Sequence, residues 1–172
     1  SERVMGYQLI ETIEVGSGGA ASIEFTGIPQ DGVDLVVKLS PRAANGLFNM
    51  TFNSDTAANY GYISLQGTDT AASSLSSNPQ SYIRFRGVTE TTQTANTFGS
   101  ASVLISNYTS SANKSVSIDG VSEHNGETGT SYRNIVAGSY TTTSGITSIS
   151  WSANAGTIAE YSTASLYKIT AD

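Results

Sequence analysis

The sequence predicts an all-β protein in which antiparallel strands stack as a β-sandwich. Three observations predict this fold class: apolar and polar residues alternate through almost the whole chain, turn-forming segments separate the alternating runs, and a helical period is almost entirely missing. Parallel winding would need crossover helices between the strands. We therefore expect an antiparallel sandwich, and among such folds the jelly roll, whose two Greek keys use about eight core strands, is favoured.

The alternation is clearest in three runs. Residues 33–39 place Val and Leu on one face, KSVSIDG does the same with Val116 and Ile118, and SASVLISN does so with Val103 and Ile105. The other strand candidates, in chain order, are Tyr7–Val15, Ala21–Phe25, Leu47–Phe52, Tyr60–Gln66, Tyr82–Val88, Ser131–Tyr140, Ile146–Trp151 and Ile158–Ile169.

The segments between these runs have the composition of turns and loops. They contain Gly, Pro, Asn, Asp and Ser, as in GSGG at 16–19, IPQDG at 28–32, TSSANK at 109–114, HNGETG at 124–129 and ANAG at 153–156. Two longer polar segments, 67–79 and 89–96, are predicted to be long surface loops. Residues 1–6 are expected to form an N-terminal arm. No charge block or proline-rich linker divides the chain, so residues 1–172 are expected to form a single domain.

Composition excludes several classes of function. Charged residues make up 13% of the 172 residues, against about 25% in an average globular protein, and 48 Ser and Thr residues take their place. The absence of cysteine excludes disulfides, thiolate metal sites and a cysteine nucleophile. The net charge of −6 would repel phosphate backbones, so no nucleic-acid partner is expected. No apolar run reaches the ~20 residues that span a bilayer, so no membrane partner is expected either.

The stretch FNSDTAANY, residues 52–60, could be a metal loop or a turn. A calcium loop counted from Asn53 would need an oxygen ligand at position five, glycine at six and glutamate at twelve. The chain instead has Ala57, Ala58 and Ser64 at those positions. We therefore predict a strand-to-strand turn in which Asp and Asn side chains bond the backbone, and no metal site.

No catalytic arrangement is recognisable. The single histidine, His124, lies in a Glu/Asn/Gly loop and is expected to be a solvated loop histidine, although its type would suit a general base. No GxSxG elbow is present, and the acidic residues are scattered without a local signature. The segment after GSGG alternates as a strand, whereas a phosphate cradle needs a helix. We assign no catalytic, cofactor or metal residue, expect no cofactor, and do not expect an enzyme.

One segment suggests surface recognition. In SYIRFRG, Ile83 and Phe85 would face the core, which leaves Tyr82, Arg84 and Arg86 aligned on the outer face. Tyr and Arg commonly anchor protein interfaces. These three residues are therefore candidates for an interface, and the alternative is a solvated strand face covered by arginine stems.

Three stretches resemble a known group of proteins. YQLIETIEVGSGGAASIEFTGIPQ, NTFGSASVLISNYTSSANKSVSI and YSTASLYKI, together with the FNSDTAANY turn, resemble β-sandwich virion structural proteins of tailed phages that infect marine and freshwater bacteria. The resemblance runs from near the start of the chain to its end and in the same order. It carries no catalytic or binding residues over to this chain.

The resemblance implies a place in a virion. The expected function is a non-enzymatic structural component that decorates or reinforces the capsid through contacts with other virion proteins, either the major capsid protein or tail components. Virion parts lie on symmetry axes, so a homo-oligomer is expected, and a trimer is one option. The alternative is a tail-fibre or receptor-binding module that binds carbohydrate, in keeping with nine tyrosines and a tryptophan. Trp151 shares a face with Ile149, which favours a core position over an exposed platform for sugars.

Overall fold

The computed structural model describes residues 5–126 and 130–171, and the regular structure in these ranges is entirely β. None of the described residues forms a helix long and apolar enough to cross a membrane. The strands, in chain order, are β1 (Met5–Glu14), β2 (Ser22–Phe25), β3 (Asp34–Ser40), β4 (Arg42–Ala43), β5 (Phe48–Phe52), β6 (Tyr60–Gly67), β7 (Ala72–Gln80), β8 (Ile83–Phe85), β9 (Thr89–Glu90), β10 (Ser100–Ser106), β11 (Lys114–Ser122), β12 (Tyr132–Tyr140), β13 (Ile149–Ala153) and β14 (Thr163–Ala171).

Two antiparallel sheets form the sandwich. The larger sheet has eight strands in the order β1-β14-β3-β10-β11-β12-β6-β7, and the smaller has four in the order β2-β13-β5-β8. β4 and β9 pair in parallel over two residues at the side of the sandwich. The predictions of an all-β, antiparallel, sandwich-like single domain are confirmed. The strand order is consistent with a jelly roll, and that finer assignment stays a prediction.

The core lies between the two sheets. Alternate residues of both sheets point into it, as in β11, where Lys114, Val116, Ile118 and Gly120 are buried and the residues between them are exposed. Trp151 is fully buried and meets Phe25 edge to face at 5.8 Å between ring centroids. The predicted core position of this tryptophan is therefore confirmed, and its ring is not available as a surface platform for sugars.

The segment 67–79, expected to be a long surface loop, is largely a strand. β7 covers Ala72–Gln80 and pairs with β6 at the edge of the larger sheet. Its side chains are almost all exposed. An edge strand that is solvated on both faces needs no apolar alternation, so the pattern that identifies the other strands is missing here.

The segment 89–96 begins with β9 and continues as an exposed run of turns. The guanidinium of Arg42, which is buried, donates to the carbonyl oxygens of Thr91, Gln93, Thr94 and Thr97 at 2.8 to 3.1 Å. This side chain therefore helps to hold the segment against β4, together with the backbone bond from the Thr91 amide to the Ala43 carbonyl oxygen, although the segment itself has few apolar residues. Of the expected N-terminal arm, residues 1–4 lie outside the described ranges, and Met5 and Gly6 begin β1.

His124 is not the solvated loop histidine that its neighbours in sequence suggest. Its exposed fraction is 4%. It packs against Gly126, where a Cβ atom would lie 2.8 Å from the imidazole Nδ1, and the Thr94 hydroxyl lies beside the same glycine. The polar composition of the loop gives no sign of this contact, because the turn segment that holds Thr94 is about 30 residues away in sequence. The end of the predicted turn at 124–129 lies outside the described residues.

The predicted turn at 52–60 is confirmed. Asn53 adopts a left-handed backbone conformation at φ 53°. The Asp55 carboxylate accepts hydrogen bonds from the Ala57 amide at 2.8 Å, the Asn59 side chain at 2.8 Å and the Tyr140 hydroxyl at 3.0 Å. Asp55 thus bonds the backbone of the turn, as expected for a turn aspartate, and its bond to Tyr140 also joins the turn to β12.

This carboxylate should make stability depend on pH. The hydrogen bond from Asn59, followed by the one from Ala57, lowers the pKa of Asp55 below its ordinary value, while partial burial acts in the opposite direction. A lowered pKa stabilises the folded state above the pKa of the unfolded chain, and this contribution is lost as the pH falls through the folded pKa. We expect Asp55→Asn to reduce the free energy of unfolding at pH 7 by about 1–2 kcal/mol.

The same variant should show a weaker loss of stability than the wild type between about pH 5 and pH 2. Urea unfolding at a series of pH values measures both effects. Asp69→Asn is the control, because Asp69 forms an exposed ion pair with Arg133 at 2.9 Å, and such pairs contribute little. Parallel pH profiles for Asp55→Asn and the wild type would contradict the assignment.

Candidate interaction surfaces

The three predicted interface residues lie at one edge of the smaller sheet. Ile83 and Phe85 of β8 are fully buried, as the alternation predicts. Tyr82, Arg84 and Arg86 are each half-buried and are not a row of free side chains on an open face. Tyr82 itself packs against the hydrophobic core. The sequence therefore predicts the inward direction of Ile83 and Phe85, whereas Tyr82 contacts the core and most partners of Arg84 and Arg86 come from other elements.

Arg84 is held by uncharged partners. Its Nε donates to the side-chain oxygen of Asn49 on the neighbouring strand β5 at 2.9 Å. One terminal nitrogen donates to the Tyr82 hydroxyl at 2.9 Å and to Asn154. The guanidinium carbon also lies 4.6 Å from the centre of the Tyr82 ring, which is a cation–π contact. These contacts fix the plane of the guanidinium without neutralising its charge.

Arg86 bridges the two sheets. Its backbone amide donates to Asn134 of β12 at 2.7 Å, and its Nε donates to Gln66 of β6 at 2.9 Å. The guanidinium carbon lies 4.2 Å from the centre of the Tyr132 ring. Within residues 5–126 and 130–171, neither Arg84 nor Arg86 forms an ion pair with a carboxylate.

A cleft of about 130 Å³ opens between the sheets at this edge, and we call it the arginine cleft. Arg84 and Arg86 line one side, and the opposite side is formed by β6, β7 and β12. The other lining residues are Leu47, Tyr62, Ser64, Gln66, Leu75, Phe85 and Asn134. The cleft depends on β7, because Leu75 forms part of its wall. The arginine cleft therefore contains two residues that the sequence predicts as interface candidates, Arg84 and Arg86, and one strand that the sequence does not predict, β7.

Three glycines place Arg86 at this position. A Cβ atom at Gly120 would overlap the carbonyl oxygen of Arg86, and one at Gly99 would overlap the carbonyl oxygen of Gly87. Gly87 has φ +110°, and a Cβ atom there would lie 2.8 Å from the Cα of Gly120. The backbone after β8 thus runs directly against β11 and the residue before β10. Only residues without a side chain permit such an approach. The sequence shows three ordinary glycines and gives no signal of this contact.

The second candidate surface is the outward face of the eight-stranded sheet, which we call the outer face. Register partners form one continuous row across seven strands, and the row consists of Leu9, Tyr167, Val36, Leu104, Ser117, Ala137 and Ile63. Directly beside it, Leu65 and Ile135 are paired across β6 and β12. Their exposed fractions are 57% and 59%. The outer face thus carries a largely apolar row that Ser117 interrupts, and a second row in which Leu65 and Ile135 are followed by Asp119, Ser102 and Lys38.

The two edges of the larger sheet differ. β1 carries Glu11 and Glu14 and has an irregular register between Leu9 and Glu11, features that discourage pairing with a foreign strand. β7 carries no charged residue and pairs regularly with β6 from Tyr62 to Gly67, although its register shifts before Tyr62 and Pro79 near its end has no amide to donate. No further strand covers its outer side in the part of the chain that the structure describes. The backbone groups on that side are available for pairing.

The described residues contain no group of side chains that could hold a metal ion. Across residues 5–126 and 130–171, no three His, Cys, Asp or Glu side chains lie where they could share an ion. No protein-family model and no curated protein matches the chain.

Proposed function

We propose that the chain is a non-enzymatic structural component of a phage virion that decorates or reinforces the capsid through protein–protein contacts. The outer face is the observation that carries the proposal. Its exposed Ile63, Leu65 and Ile135 form a contiguous apolar group on a rigid sheet. Large exposed apolar groups of this kind are typical of interaction sites. The virion part of the proposal rests on the sequence resemblance described above.

The size of the outer face suits a stable contact. Eight strands spaced about 4.8 Å apart span about 34 Å, and seven residues of a strand span about 23 Å. The face therefore covers roughly 800 Å², which is the area that each partner buries in a standard interface. The face also carries charge: Lys38 and Asp119 lie in the row that holds Ile135, and Arg133, which pairs with Asp69, lies in the next row. The group of Ile63, Leu65 and Ile135 itself contains no charged residue, which lowers the desolvation cost of docking there.

The edge of β7 supports the expected homo-oligomer. An isologous contact pairs residue i with residue j of the copy and residue j with residue i, so like charges can meet and repel one another near the two-fold axis. β7 avoids this repulsion, because the segment Ala72–Gln80 contains no charged residue. Pairing of two β7 strands would extend the larger sheet from one protomer to the next.

Two experiments on the phage that encodes the chain test the proposal. Mass spectrometry of purified particles should detect the chain at a fixed ratio to the major capsid protein, and its absence from the particles would end the proposal. In a phage that carries Leu65→Arg, we expect the copy number per particle to fall at least about tenfold, because burying an unpaired charge in an apolar contact costs several kcal/mol.

Tyr161→Arg is the matched control. Tyr161 is 61% exposed but lies in the turn before β14 and not on the outer face, so its variant should be incorporated normally. Thermal unfolding of both purified variants shows whether they remain folded. Equal incorporation of folded Leu65→Arg would remove the outer face from the contact. Density for the chain on the tail, and not on the shell, would favour the tail-fibre alternative.

A further inference from the structure

We propose that the arginine cleft binds the carboxylate of an Asp or Glu side chain on a partner protein. The partner would be another virion protein, and this identity rests on the proposed function. The chemistry of the site does not rest on it. The inference assigns to Arg84 and Arg86 a ligand of defined charge and shape.

The free donors of the cleft belong to the two arginines. Among the described residues, Nη1 and Nη2 of Arg86 have no hydrogen-bond acceptor, and neither does Nη1 of Arg84. A guanidinium keeps its charge at every physiological pH and presents its N–H groups in a planar fork. In a chain with 14 acidic and 8 basic residues, two arginines at one cleft without a carboxylate partner form an unbalanced positive site.

The amide groups of the cleft are already bonded. Asn134 accepts from the Arg86 amide and donates to Ser64 at 2.7 Å and to the Leu65 carbonyl at 3.0 Å. Gln66 accepts from Arg86 and donates to Ser73 at 3.0 Å. The cleft therefore offers donors and few acceptors. Neutral sugar hydroxyls need both, whereas an ionised carboxylate only accepts.

The shape of the cleft favours a carboxylate that is carried on a short aliphatic chain. Leu47, Leu75 and Phe85 form apolar walls, and the volume of about 130 Å³ suits a short aliphatic chain. The guanidinium groups lie over the rings of Tyr82 and Tyr132 and are further held by hydrogen bonds, so little side-chain freedom remains to be lost on binding. A carboxylate on one or two methylenes, as in Asp or Glu, fits both the walls and the donors.

Titration of the isolated chain with a blocked amino acid tests the site. We expect N-acetyl-glutamate N-methylamide to shift the NMR signals of the Arg84 and Arg86 side-chain Nε–H groups and of the Arg86 amide. The blocked glutamine analogue, which has the same shape without the charge, should leave them unchanged. Arg86→Gln should weaken binding of the glutamate probe about tenfold, since it removes charge-assisted hydrogen bonds.

The Arg133 side chain is the internal control, because this exposed arginine already pairs with Asp69. Equal responses of Arg133 and Arg86 to the glutamate probe, or equal binding of the two blocked amino acids, would overturn the inference. So would tighter binding of inorganic phosphate or of glucuronate, which would assign the cleft to phosphate or to acidic sugars. The virion proposal does not depend on this titration, and the absence of the chain from particles would leave the carboxylate site intact.

Discussion

Replacing Gly120 with alanine is expected to lower the free energy of unfolding by about 3 kcal/mol. The new methyl group would overlap the carbonyl oxygen of Arg86, a backbone atom that no rotamer change can move. Relief requires the segment after β8 to separate from β11, which would also displace Arg86 from the cleft. Urea unfolding of the purified variant measures the loss.

Gly67→Ala is the matched control. Gly67 also lies in a strand of the larger sheet, but a Cβ atom there would meet nothing within 4 Å. This variant is expected to be neutral or slightly stabilised, because alanine restricts the unfolded chain. A loss at Gly120 within about 1 kcal/mol of that at Gly67 would show that the backbones are not in the close contact described.

Arg42→Met is expected to cost about 3 kcal/mol and to release the segment that follows β9. Arg42 is 8% exposed, and its guanidinium bonds the backbone carbonyls of Thr91, Gln93, Thr94 and Thr97. Methionine keeps the apolar stem but provides no donor, so the carbonyl groups of Thr91, Gln93 and Thr97 lose the guanidinium and must turn to water, while that of Thr94 keeps only the Thr97 hydroxyl. Urea unfolding gives the stability, and hydrogen exchange reports on residues 91–97.

The exchange pattern distinguishes a local role from a general one. Amide protection should fall in residues 91–97 and remain in β10 and β11, since the segment opens without loss of the core. Arg133→Met is the control, because an exposed ion pair contributes less than about 1 kcal/mol. Unchanged protection in residues 91–97 of Arg42→Met would contradict the anchoring role.

The interface candidates show which features of the site the local sequence pattern can predict. The alternation in SYIRFRG correctly places Ile83 and Phe85 in the core, because a strand sends successive side chains to opposite faces. The same pattern predicts that Arg84 and Arg86 point away from the core. It cannot predict that Arg86 meets Gln66 and Tyr132, since those residues belong to strands of the other sheet.

β7 and His124 are two features that the local sequence pattern does not predict. The sequence predicts a loop where β7 lies, because a solvated edge strand leaves no apolar signature in its sequence. It also predicts a solvated His124, because the polar neighbours of this residue do not reveal its packing against Gly126 beside Thr94. The contact near His124 comes from a distant part of the chain, whereas β7 pairs with the neighbouring strand β6 and lacks only the apolar pattern.

The sequence by itself determined the fold class, most of the strands and the buried position of Trp151, because the period of two and the turn residues act over a few neighbouring positions. Only the tertiary structure decided where the chain can bind. The arginine cleft depends on β7, a strand whose sequence lacks apolar alternation. The close approach of the Arg86 backbone to β11 depends on Gly120, which has no side chain. Neither has a local signature, since both arise where segments distant in sequence are packed together by the closing of the two sheets.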